Sequence, residues 1–93
     1  MIDYDRLSRE VVGVADKAVG SARRCDVAGM VLHFVKAFKG ADLIKPTLSE
    51  KQADPEEAER RERLASYTTD RIMDRLSEAL QALESGCNCR ISS

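Results

Sequence analysis

After Asp54-Pro55, a run of thirty residues beginning Glu56-Glu57 holds neither glycine nor proline until Gly86. An aspartate able to accept free backbone N–H groups, a proline at the first helical position and two acids in the first turn together mark a helix start. Gly86 then supplies a stop. The spacing predicts one helix over 55–85, roughly 45 Å long at 1.5 Å per residue. A chain of 93 residues cannot enclose such a rod, so its other segments must lie along it.

Two further helices are predicted upstream. Tyr4, Leu7, Val11, Val14, Ala18 and Ala22 recur at spacings of three and four, with Val12, Ala15 and Val19 beside them. Only a helix puts that pattern on one face. Asp3 or Asp5 can cap its start, giving a helix over about 3–24. Gly13 and Gly20 weaken it unless a partner helix approaches there. Asp26 is the next cap, and Val27, Met30, Val31, Phe34 and Phe38 form the strongest apolar face of the chain. Gly40 reads as its C-terminal stop, which bounds this helix at 27–39. In the connector, Thr47-Leu48-Ser49-Glu50 has capping-box spacing and predicts a short helix.

The expected fold is therefore all-α: a small bundle of three main helices, at about 3–24, 27–39 and 55–85, with the short connector helix added. Residues 1–86 make one helical domain, and 87–93 a flexible Cys-x-Cys tail. In the long helix, Ile72, Leu76, Leu80 and Leu83 should face Leu7, Val11 and Val14 of the first helix or of a second chain, while Glu56–Arg63, rich in i, i+4 ion pairs, should face water. Eleven of the apolar residues are alanines, and Leu, Ile, Val and Phe together number 21. So thin a core under so long a helix predicts completion by a symmetric homodimer.

Composition excludes several functions. Fifteen basic and sixteen acidic residues leave a net charge of −1, and a nucleic-acid binder is normally strongly basic. The basic groups Arg23/Arg24, Lys36/Lys39/Lys45 and Arg60/Arg61/Arg63 lack aromatic platforms and read as solvated faces. No apolar run is long enough to span a bilayer, and the acidic start, Met1-Ile2-Asp3-Tyr4-Asp5, does not read as a signal peptide. Three cysteines make no secreted disulfide framework, so a cytoplasmic location is expected.

Few residues suggest chemistry. Cys87-Asn88-Cys89 can share a soft metal ion or act in redox chemistry, with Cys25 as the only further thiol. Asp70, Asp74 and Glu78 line one helical stripe, but Arg71 and Arg75 beside them favour a salt-bridged face. His33 is the only histidine. The run His33-Phe34-Val35-Lys36-Ala37 resembles the histidine-phosphotransfer motif, His-x-aliphatic-Lys-small, of helical bundles that relay a phosphoryl group. That resemblance implies His33 as phosphoacceptor, with Lys36 stabilising the phosphate. It covers five residues, and Phe38 departs from the small residues that usually follow.

No Gly-rich phosphate loop, catalytic triad or cofactor motif is present in the sequence. The expected function is that of a small regulatory protein that binds another protein without catalysis. Phe34, Phe38, Leu43, Ile44 and Leu48 are the candidate partner-binding residues, because they sit in an apolar run too extensive to leave in water. Phosphotransfer through His33 is the alternative, and a metal or redox role for Cys25, Cys87 and Cys89 the second.

Overall fold

The computed structural model describes residues 3–86, and all its regular structure is helical. Helix α1 spans Tyr4–Arg23, α2 Val27–Ile44, α3 Leu48–Ala53 and α4 Pro55–Gly86. The chain is therefore a small all-α bundle of three long helices and one short one. It is a rod of 57 × 18 × 16 Å, its length set by the 32 residues of α4.

Each start is fixed by the side chain that satisfies its free amides. Asp3 accepts from the amide of Arg6 at 3.1 Å, Asp26 from that of Gly29 at 3.0 Å, and Asp54 from that of Glu57 at 3.2 Å. Thr47 and Glu50 form a reciprocal capping box at the start of α3. The turn from α1 to α2 is a Schellman motif: the amide of Cys25 donates to the Ala22 carbonyl and that of Asp26 to the Ser21 carbonyl, both at 2.9 Å. This motif places Cys25 at φ 60°, a left-handed conformation normally given to glycine. A side chain there costs about 1–2 kcal/mol.

The topology is up, down, up. Arg61 of α4 reaches the Ile44 carbonyl at the end of α2, and Gly86 lies beside Cys25 at its start, so α2 and α4 are antiparallel. α1 runs parallel to α4, as three contacts climbing both helices show. Ser8 and Thr68 share a buried hydroxyl hydrogen bond of 2.5 Å, Arg75 donates to Asp16 at 2.6 Å, and Arg23 donates to Glu78 at 3.0 Å.

Six of the eleven residues in the main core cluster are alanines: Ala15, Ala18, Ala22, Ala37, Ala41 and Ala79. Val11, Val19, Met30, Phe34 and Ile72 complete it. Such small side chains let helices approach closely, but they bury little apolar volume each.

The structure corrects the expected end of α2. The helix runs through Gly40 to Ile44, because Gly40 is a contact point: a β-carbon there would overlap Cγ1 of Val11. Gly13 and Gly20 admit no such neighbour. The expected burial along α4 also changes. Ile72 is buried and Leu76 and Leu83 are partly so, but Leu80 is 51% exposed. Glu56–Arg63 is not a uniformly wet segment, since Ala58 and Arg61 are both buried. Of the ion pairs expected there, Arg63 pairs with Glu59, whereas Arg60 pairs with Glu57 and Arg61 with Glu50 of α3.

Candidate interaction surface

Of eighteen residues in α2, only His33, Lys36, Lys39 and Asp42 are polar or charged. A helix apolar on all sides is normally enclosed. α2 is not. Met30, Phe34, Ala37, Ala41 and Ile44 turn into the bundle. On its other side Val27, Val31, Leu32, Val35 and Leu43 stand 43–68% exposed. These are five of the nine large apolar side chains left in water among the described residues.

The exposed face continues across the seam with α4. Phe38 and Thr69 line one shallow cleft between the two helices. On α4 itself, Met73 and Leu80 are likewise each about half exposed.

The residues singled out in the sequence separate in space. Phe34 and Ile44 are core residues at 5% and 0% exposure. Phe38 is half-buried and packs against that core. Leu43 and Leu48 are exposed, at 68% and 72%. His33 is half-buried and Lys36 exposed on α2. Val27, Val31, Leu32, Val35, Met73 and Leu80 are additional surface residues. An apolar pattern wider than one helical stripe was their signal in the sequence.

At the opposite end from the α1–α2 turn, Arg61 joins all four helices. Its Nε donates to the Ile44 carbonyl at 3.0 Å and its Nη2 to the Lys45 carbonyl at 3.4 Å, capping the C-terminus of α2. Its Nη1 pairs with Glu50, and the guanidinium covers the ring of Tyr4. Hydrogen bonds from Thr47 and from Arg61 hold the Glu50 carboxyl below the ordinary carboxylate range. Beside this hub lies an open groove of about 890 Å³. Most of its charges are engaged: Asp3 and Asp54 as helix caps, Glu57 with Arg60, Glu50 with Arg61 and Arg63 with Glu59. The groove therefore reads as a structural junction.

Among the described residues, no group of three or more His, Cys, Asp or Glu side chains converges as a metal site. Cys25 is disulfide-bonded, and its Sγ lies 3.9 Å from the Gly86 carbonyl oxygen. Cys87 and Cys89 lie outside the described residues. No helix among the described residues is long and apolar enough to cross a membrane. A scan against protein-family models finds no match, and searches of the curated proteins and of the solved structures find no significant one.

Proposed function

We propose that the chain is a small helical interaction module that acts by binding rather than by catalysis, with the outer face of α2 and its seam with α4 as the docking surface. The observation that carries this reading is the exposure of Val27, Val31, Leu32, Val35 and Leu43 on one helix. Solvating that many large apolar groups on one element is unfavourable at about 25 cal/mol per Å².

A second copy of this chain is the occupant that best fits the surface. The net charge of −1 offers little repulsion between copies. Charges of both signs, Asp42 and Lys39, lie among the exposed apolar residues of α2, so two copies related by a two-fold axis can pair them. The alanine-rich core gains most from a second layer of large side chains. Light scattering at high micromolar concentration, on wild type and on the double variant Val31→Glu/Val35→Glu, tests this. A dimeric wild type and a monomeric, equally helical variant support it. A strictly monomeric wild type removes the homodimer.

A further inference from the structure

We propose that α3 is an ion-held strap that either lies docked on α4 as a helix or comes away and unwinds as one unit, leaving the three-helix rod folded. None of its six residues is buried, and only Glu50 is even half-buried. Leu48, its one large apolar side chain, is 72% exposed. Among the described residues, α4 is the only helix that the backbone of α3 packs against. Apolar burial therefore does little to hold it there. Two ion pairs do: Glu50 with Arg61, and Lys51 with Glu62 at 2.6 Å. They join two neighbouring residues of α3 to two neighbouring residues of α4.

Glu50 couples docking to helix formation. Its Oε1 accepts from the Thr47 amide at 3.0 Å and closes the capping box of α3, while its Oε2 pairs with Arg61. One carboxylate thus both starts the helix and fastens it. A helix of six residues lies far below the roughly 12–15 that hold together alone in water. Once the bridges let go, nothing keeps it wound. Order–disorder change in a segment held by few buried contacts is a common form of switch.

The hub survives the release. Arg61 keeps its bonds to the carbonyls of Ile44 and Lys45 at the end of α2. Pro46 is buried just before α3 and Asp54 caps α4 just after it, so both ends of the strap stay anchored. What opens is the wall between two clefts. Glu50 lines the groove beside the hub, and Lys51 lines a second cleft of about 450 Å³ with Pro46, Glu62 and Thr69. With α3 away the two join into one trough along α4, in which Arg61 and Glu62 have each lost the charge that neutralised them. Ionic strength is the control, because Lys51 and Glu62 are both about half exposed and their attraction is screened by salt.

The test is hydrogen exchange of the full chain, followed amide by amide by NMR. Raising sodium chloride from about 0.02 to about 0.5 M shortens the Debye length from roughly 20 Å to roughly 4 Å. The amides of Lys51 and Asp54 donate to the carbonyls of Thr47 and Glu50. Their protection should fall about three- to tenfold over that range, while that of the core amides of Ile72 and Ala79 stays constant. Glu62→Gln leaves the sequence of α3 untouched and should bring a comparable loss at low salt. Glu10→Gln, which breaks an exposed pair on α1, should not. The exchanged pair Lys51→Glu/Glu62→Lys should return protection towards wild type. Equal protection of α3 at both salt concentrations, or a loss in step with the core amides, overturns the strap. An exchanged pair that recovers nothing relative to Glu62→Gln overturns Lys51–Glu62 as one of its two fastenings.

Discussion

The guanidinium of Arg61 lies 3.9 Å above the centre of the Tyr4 ring, so a residue of α4 rests on the first turn of α1 while it caps the end of α2. The side chain is 6% exposed. Its removal strands the Ile44 carbonyl and releases both Glu50 and Tyr4. Arg61→Ala is expected to lose about 2–4 kcal/mol, since it deletes one buried and two partly buried charge-assisted hydrogen bonds at once. Arg63→Ala, which breaks only a pair about 70% exposed on each side, should stay within about 0.5 kcal/mol of wild type. Thermal melts of the two variants, two positions apart, give the comparison.

Gly40 and Gly13 should respond in opposite directions to the same change. Gly40→Ala puts a β-carbon onto Cγ1 of Val11, and neither helix backbone can yield without opening the alanine contact. It should destabilise by about 1–3 kcal/mol, the usual range for overpacking. Gly13→Ala meets nothing within 4 Å. It should stabilise by about 0.5–1 kcal/mol through helix propensity. Urea titrations that shift both midpoints the same way would contradict the packing described here.

The Glu50 carboxyl is held below its ordinary value of 4.5 by hydrogen bonds from Thr47 and from Arg61. A group depressed in the folded state stabilises fully above that ordinary, unfolded value and loses the contribution as pH falls through the folded value. Melting temperatures of wild type and Glu50→Gln should differ at neutral pH, with wild type higher. The gap should close as the medium is taken below pH of about 4. A gap constant down to strong acid would mean that the charge of Glu50 does not matter to the hub.

Ser8 and Thr68 form the buried polar link between α1 and α4, and the Thr68 hydroxyl also donates to the Leu64 carbonyl at 2.7 Å. Thr68→Val keeps the shape and removes the acceptor used by Ser8. It should cost about 1–3 kcal/mol, the penalty for an unpaired buried hydroxyl. The double change Ser8→Ala/Thr68→Val should recover part of that loss, because no hydroxyl is then left stranded. A double-mutant cycle with zero coupling would show that the two hydroxyls act independently.

Local signals were legible in the sequence where a few neighbouring residues decide the outcome. Asp3, Asp26 and Asp54 cap helices from the positions their spacing implied, and Thr47 and Glu50 close their box. What the sequence concealed was set by contacts between distant segments. Gly40 has the look of a helix stop until Val11 is placed against it. Arg61 sits in a charged run and reads as wet, because nothing local shows that the carbonyl end of α2 arrives beside it. Val27 and Val31 belong to the same apolar pattern as Met30 and Phe34, yet they are half exposed while the latter are buried. The side of α2 that turns inward follows from where the alanines of α1 allow approach, and that is a property of the pair of helices.

The alanine lining of the α1–α2 contact inverts the usual map of tolerance to substitution. Where leucines fill a core, a smaller residue leaves a hole and neighbouring atoms sag towards it. Here Ala15, Ala18, Ala22, Ala37 and Ala41 are at most 2% exposed, and all belong to the one core cluster. Any added carbon acts as a wedge, and a wedge in one turn of a rod this slender is felt along its length. Variation should therefore accumulate at the conspicuous leucines of the rim, Leu43 and Leu48 among them, while the plainest side chains in the protein are the ones held invariant.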